Sequence, residues 1–194
     1  HFKPMISAFE YVTVLISIVL GLGITQILTG VADLIHQSKR VRVYWPLMIW
    51  VLLVLVMHVQ EWWVTYQLKN YQPWRLPVFL FMMLYPINLF VLARLLTPVG
   101  LQEGTIDLKV FYEENYRKIF GFTAGLVLLA LLDDVFIRSE AGANIITKST
   151  LLAALILLIR AKRLPHWGHV AIAVALLLML VLSIVVEWNV WLIG

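Results

Sequence analysis

The sequence has no cysteine and few charged residues. Of its 194 residues, 13% are charged and 62% are hydrophobic, and the mean hydropathy is +0.90. Without cysteine the chain has no disulfide, no iron–sulfur cluster and no thiol nucleophile. A soluble domain carries charge on about a quarter of its residues, so this scarcity of charge excludes soluble enzymes and nucleic-acid-binding modules. The composition predicts a protein whose main partner is the lipid bilayer.

Six apolar stretches are long enough to cross a membrane, because a hydrocarbon core of about 30 Å needs about 20 helical residues. The sequence therefore predicts an all-α, polytopic bundle of six transmembrane helices in one domain over 1–194. The fifth stretch is the shortest and begins with polar residues, which leaves five spans as the alternative. The first stretch is too long for the core of a cleavable signal peptide, so we expect it to remain in the mature chain. The predicted spans cover 8–32, 45–66, 77–97, 119–137, 146–161 and 168–192.

Lysine and arginine are distributed unevenly between the two ends of these spans. With six spans both termini lie on one side, whose segments hold Lys3, Lys69, Arg75, Arg138 and Lys148. The opposite side holds twice as many, namely Lys39, Arg40, Arg42, Arg94, Lys109, Arg117, Lys118, Arg160, Lys162 and Arg163. Cytoplasmic loops carry the excess of positive charge in membrane proteins. The distribution predicts that both termini face away from the cytoplasm.

The longest connection, between the third and fourth spans, contains a helical stripe of apolar residues opposite Glu113, Glu114 and Arg117. The stripe consists of Leu108, Phe111, Tyr112, Tyr116, Ile119 and Phe120. This pattern predicts an amphipathic helix over 105–118 that lies at the cytoplasmic interface. It is either a gate or docking element, or a simple connector between the two spans.

Acidic residues collect at the non-cytoplasmic ends of the spans, where ionisable side chains indicate function unless they lie at the headgroups. His58 and Glu61 have i, i+3 spacing and therefore project from neighbouring positions on one helix. Val59, Glu61, Trp62 and Val64 recur as Val185, Glu187, Trp188 and Val190, which suggests two equivalent walls. If the spans meet, we expect a cation or proton site formed by Glu10, His58, Glu61, Asp133, Asp134 and Glu187.

Two alternatives remain for these acidic residues. They can pair near the headgroups with basic side chains of the same side, Lys69, Arg75, Arg138 or Lys148. An intramembrane acid/base enzyme that uses Glu61 and His58 is the other alternative. The sequence contains no Gly-rich phosphate loop, no His-Glu-x-x-His and no Gly-x-Ser-x-Gly, so we expect a protein that is not an enzyme.

The first span has small or polar residues at every fourth position, which is unusual for a helix that faces lipid. The row consists of Thr13, Ser17, Gly21, Thr25, Thr29 and Asp33. Small residues allow helix backbones to approach closely, so the row predicts a packing seam or, alternatively, the wall of a hydrated pathway. Asn88, two residues after Pro86 in the third span, fits either a bond to another helix or a pathway residue.

Two short pairs at the cytoplasmic end could together hold a metal ion. Asp33 and His36 close the first span, whereas His166 and His169 open the sixth. Both pairs have i, i+3 spacing, which predicts a weak four-ligand site if the helix ends meet. Haem needs facing axial ligands at suitable depth, and only His58 lies well inside a span, so no haem and no other organic cofactor is expected.

Several short motifs resemble those of a group of small bacterial inner-membrane proteins that have no assigned function. These motifs are Phe9-Glu10-Tyr11-Val12, the run of residues 17–25, and the Glu61-Trp62-Trp63 sequence that follows His58. The resemblance covers most of the chain and implies a bacterial plasma membrane. It implies nothing about mechanism.

Together these patterns predict a cation or proton channel or transporter, built as a homo-oligomer or with a membrane partner. A non-catalytic subunit or assembly factor, whose polar residues serve helix packing, is the main alternative. A third alternative is an effector that responds to a ligand or to pH. No span carries the arginine ladder of a voltage sensor.

Overall fold

The computed structural model describes residues 7–66, 69, 75–98, 104–138, 142–161 and 165–193, with residues 8, 138, 143 and 186–193 described by their backbone alone. Its architecture is all-α with six long helices, as the sequence predicts. They are α1 (Ala8–His36), α2 (Trp45–Tyr66), α3 (Leu76–Leu95), α4 (Leu108–Asp133), α5 (Ala143–Arg160) and α6 (His166–Ile193).

Five of the six helices, all except α5, are long and apolar enough to cross a membrane. At 1.5 Å per residue the 18 residues of α5 extend about 27 Å, and α5 corresponds to the span that the sequence left least certain. The observed bounds lie within a few residues of the predicted ones at most helix ends. The largest difference is at the start of α4, which begins 11 residues earlier than predicted, and the ends of α1 and α4 each differ by four residues.

The helices pack in an order that differs from their order in the chain. Helix α3 packs between α1 and α4, α5 packs on α4, and α2 packs between α1 and α6. Apolar side chains from these helices form one continuous core, in which Trp50, Leu89 and Phe120 are completely buried. Pro86 lies inside α3 and is also buried, and it leaves the carbonyl of Met82 without a helical hydrogen bond.

A short parallel strand pair joins the connection between α1 and α2 to the connection between α3 and α4. Strand β1 (Val41–Arg42) pairs with β2 (Ile106–Asp107). The Asp107 carboxylate accepts hydrogen bonds from the backbone of Lys109 and Val110, which caps α4. Helix α4 therefore begins at a position fixed by both the strand pair and the cap.

The separate interfacial helix predicted over 105–118 is not what the structure contains. Its residues form the first turns of α4, which continues without interruption to Asp133 and extends about 39 Å. Leu108, Tyr112 and Phe120 are completely buried in the bundle instead of lying against headgroups. The stripe that suggested an interfacial helix is the core-facing side of α4, which is long and apolar enough to cross a membrane. The prediction of a separate element was wrong because no proline stops the helix between the two segments.

Candidate functional site

A cavity of about 500 Å³ lies at the end of the bundle where α2, α4 and α6 end and α3 and α5 begin. All six helices or their immediate extensions contribute to its wall. Its polar lining consists of Gln60, Glu61, Thr65, Tyr85, Asp133, Asp134, Asn144, Lys148 and Ser183. Its apolar lining consists of Ile16, Met57, Val64, Phe81, Met82, Leu129 and Ala130. We call it the acidic cavity, because three carboxyl groups and one lysine line it.

Three residues of the predicted acidic site therefore share one cavity. Glu61 comes from the end of α2, Asp133 is the last residue of α4, and Asp134 begins the π-helical turn Asp134–Arg138 that follows. A π-helical turn is rare and occurs frequently at functional sites. The grouping of these three carboxyl groups is what the sequence predicted from their common depth.

Lys148 supplies the positive charge in the cavity wall. Its Nζ lies 2.5 Å from Oδ2 of Asp134, and only 4% of the Asp134 side chain is exposed. Helix α5 packs along α4, so the lysine, which lies in the second turn of α5, reaches back to the end of α4. The sequence named Lys148 only as one possible partner for the acids. The position of Lys148 inside an apolar span was the feature of the sequence that indicates this pairing, because an ionisable group there needs a partner.

Glu10 does not belong to the acidic cavity. Its carboxylate accepts a hydrogen bond from the Ser7 backbone at 2.8 Å, and its own backbone donates to Ser7 Oγ at 3.2 Å. This reciprocal capping box begins α1. The Ser-x-x-Glu spacing was the signal in the sequence, and it gives Glu10 a local structural role instead of the predicted ionic one.

His58 also lies outside the lining of the acidic cavity, although it is completely buried. Its Nδ1 donates to the Val54 carbonyl at 2.7 Å, within its own helix. The ring lies directly against Gly23 of α1, and Nε2 has no hydrogen-bond partner in the described part of the chain. The predicted pairing of His58 with Glu61 is therefore replaced by a helix–helix contact.

Glu187, the last residue of the predicted acidic site, falls among the residues whose side chains the structure does not describe.

The row of small residues on α1 faces out of the bundle. Gly21, Thr25 and Thr29 are exposed, and nothing lies within 4 Å of the position that a Cβ of Gly21 would occupy. The hydroxyls of Thr13 and Thr25 donate to carbonyls one turn earlier in α1, at 2.7 and 2.8 Å. Ser17 and Thr13 line a shallow surface groove and not the acidic cavity. The row is therefore neither a seam within one chain nor a pathway through it.

Asn88 takes part in a close contact between α3 and α4. Its side-chain amide lies against Gly125, where a Cβ would overlap it. The prediction left open a bond to another helix or a pathway residue. The structure shows a packing contact, and Asn88 does not line the acidic cavity.

The four residues of the predicted cytoplasmic metal site do not come together. His166 Nδ1 and Tyr44 Oη lie 3.0 Å apart, and the His169 ring makes edge-on contacts with Tyr112 and Tyr116. Asp33 and His36 are exposed at the end of α1. Among the residues that the structure describes, no group of three histidine or acidic side chains could hold a metal ion. The prediction fails because α6 packs on α2, whereas α1 packs mainly on α3.

The histidines of α6 belong instead to an aromatic cluster at the opposite end of the bundle from the acidic cavity. Its rings are those of Tyr44, Trp50, Tyr112, Tyr116, Phe120, His166 and His169. Burial, with a smaller contribution from the charge of Glu113, raises the pKa of Tyr44 above its ordinary value. The cluster holds the beginnings of α2, α4 and α6 together and so fixes one end of the bundle.

Comparison with known proteins gives no relative from which a role for these residues could be transferred. No family model, curated protein or solved structure matches the chain.

Proposed function

We propose that the protein transports a cation or proton across a bacterial inner membrane and that the acidic cavity is its binding site. The observation that carries the proposal is a cavity of about 500 Å³ lined by three carboxyl groups within a bundle of apolar helices. Ionisable groups are costly at membrane depth and typically mark substrate or ion pathways. A purely structural role does not require a cavity of this size beside them.

The excess of lysine and arginine at the other end supports an orientation for this site. With six spans, the positive-inside tendency directs the acidic cavity and both termini toward the periplasm. A cation arriving from outside would then meet Asp133 and Glu61 before the apolar core of the bundle. Lys148 would stay paired with Asp134 and neutralise that carboxylate.

A flux assay in proteoliposomes tests this proposal. The purified chain would be reconstituted and scanned for protons, potassium, sodium and divalent cations, with Glu61→Gln beside the parent. Glu10→Gln is the matched control, because glutamine at that position also satisfies the capping box and lies outside the cavity. We expect flux in the parent and in Glu10→Gln, and loss of flux in Glu61→Gln. Absence of flux for every ion would contradict the proposal.

A second candidate function, that of an assembly subunit, is favoured by the exposed row on α1. Small residues let two helices approach closely in a membrane, and Gly21 offers open space in the single chain. The surface therefore suits α1 of a second copy of this chain. Gly21→Leu should lower the fraction of cross-linked dimer if the copies meet there. An intact dimer without flux would favour the subunit role over transport.

A further inference from the structure

The acidic cavity is much larger than a site for a dehydrated metal ion. Its volume of about 500 Å³ falls within the range of pockets that hold small organic ligands, roughly 300–1,000 Å³. Calcium or magnesium needs about six oxygen ligands converging at roughly 2.0–2.6 Å. No group of three acidic or histidine side chains in the described part of the chain is close enough together to hold a metal. The size and the spacing of the donors therefore fit a larger cation.

The walls of the acidic cavity also contain groups that an inorganic ion does not use. Met57 from α2 and Phe81, Met82 and Tyr85 from α3 form an apolar and aromatic part of the lining. Aromatic faces attract cations, and flexible methionine side chains adapt to irregular apolar groups. Together with Glu61, this lining suits a molecule that has a positive charge and an apolar body.

Lys148 shows which charged group the cavity wall accommodates. Its ammonium group, which is that of a primary alkylamine, pairs with Asp134 at 2.5 Å in the cavity wall. The wall thus holds a tethered alkylammonium ion against an almost completely buried carboxylate.

We propose that the acidic cavity binds an organic monocation, an amine or quaternary ammonium that carries apolar groups. This inference rests on the proposed function, because it names the class of cation that the same site takes. Glu61 provides the counter-charge for the ligand, and Tyr85 provides an aromatic face. Asp134 stays paired with Lys148 and sets the limit of the site on the side of α5.

Calorimetric titration of the purified full chain with benzyltrimethylammonium tests the inference. We expect one ligand to bind per chain, and benzyl alcohol, which lacks the charge, to bind far more weakly. Glu61→Gln should weaken binding by about tenfold or more, as expected for the loss of one charge-assisted contact. Glu10→Gln should leave the affinity unchanged, because Glu10 is outside the cavity.

A second pair of variants keeps the test decisive if Glu61→Gln does not fold. Tyr85→Leu should weaken binding severalfold through loss of the aromatic face, whereas Tyr85→Phe should retain it. Equal affinities for Tyr85→Leu and Tyr85→Phe would overturn the assignment of the ligand to this cavity. No binding of benzyltrimethylammonium to the folded parent would overturn the inference outright.

The result separates this inference from the proposed function. If potassium or another inorganic cation passes through the parent in liposomes while the organic cation does not bind, the inference is wrong and transport stands. If the organic cation binds as expected but neither it nor any inorganic cation crosses the membrane, the inference stands and transport is wrong. In that case the cavity is a receptor site and not a pathway.

Discussion

Lys148 and Asp134 form an ion pair that links the end of α4 to the second turn of α5. The side chain of Asp134 is almost completely buried, whereas about a third of the Lys148 side chain is exposed (34%). Because the two groups also line the acidic cavity, changing either residue alters both the stability of the bundle and the charge of the cavity. A buried carboxylate without its partner is strongly unfavourable, so removal of the lysine should destabilise the protein.

Lys148→Met should destabilise the protein by about 1–3 kcal/mol, since it leaves the Asp134 carboxylate buried and uncompensated. The value lies below the range of about 3–5 kcal/mol for fully buried pairs, because about a third of the Lys148 side chain is exposed (34%). The double variant Asp134→Asn, Lys148→Met should recover most of the loss, which unfolding in detergent would measure. Lys109→Met is the matched control, because the Lys109–Glu113 pair is about half exposed and contributes little. Equal losses in the single and double variants would contradict the account.

Gly23→Ala should destabilise the bundle by about 1–3 kcal/mol, the usual cost of overpacking a core. The new methyl group would overlap the His58 ring and force α1 away from α2. Gly121→Ala on α4 is the control, because its methyl group would enter open space and Gly121 lies outside the α1 surface that suits a second copy. In the His58→Ala background, Gly23→Ala should cost little further stability, since the obstruction is gone. A loss of equal size in Gly121→Ala would contradict the proposed contact.

Tyr44→Phe should cost about 1 kcal/mol, because it removes the hydrogen bond between Tyr44 and His166 that joins the beginnings of α2 and α6. The pH dependence of this loss follows from the raised pKa of Tyr44. Below the ordinary value of 10.0 the phenol is neutral in both states, and its contribution is fully present. As the pH rises from there through the raised pKa, the unfolded state ionises first and that part of the stability is lost.

Unfolding curves at about pH 9 and about pH 11 would measure this effect. The parent should lose more stability between the two values than Tyr44→Phe does. Tyr11→Phe is the control, because Tyr11 is an exposed side chain on α1. Identical losses in the parent and Tyr44→Phe would show that Tyr44 does not titrate as the structure implies.

The helices could be predicted from the sequence because a long apolar run in a membrane has few alternatives to a helix. The grouping of Glu61, Asp133 and Asp134 could be predicted for a related reason, since equal depth brings residues of neighbouring spans to one level. Depth alone does not specify the direction of a side chain around its helix. His58 therefore turned out to lie against Gly23, one turn away from Glu61 but outside the cavity lining.

Local and distant contacts account for the remaining differences between the roles predicted from the sequence and those in the structure. Glu10 is held by a bond to Ser7, three residues away, which competes with any ionic role in the bundle. The pairing of His166 with Tyr44 depends on α6 packing against α2, which periodicity does not reveal. The apolar stripe of residues 108–120 has the same pattern whether it faces headgroups or a protein core. Only the arrangement of the neighbouring helices distinguishes the two.

Labelling of single cysteines tests whether the acidic cavity is filled with water and open toward the periplasm. The chain has no cysteine of its own, so Ser183→Cys in the cavity lining and Leu182→Cys beside it can each be probed alone. Leu182 is exposed on the bundle surface (62%) but does not line the cavity. A thiol reacts with a membrane-impermeant maleimide only where water supports the thiolate. We expect rapid labelling of Ser183→Cys from the periplasmic side and slow labelling of Leu182→Cys. Equal, slow labelling of both from either side would show that the cavity is not open to water on that side.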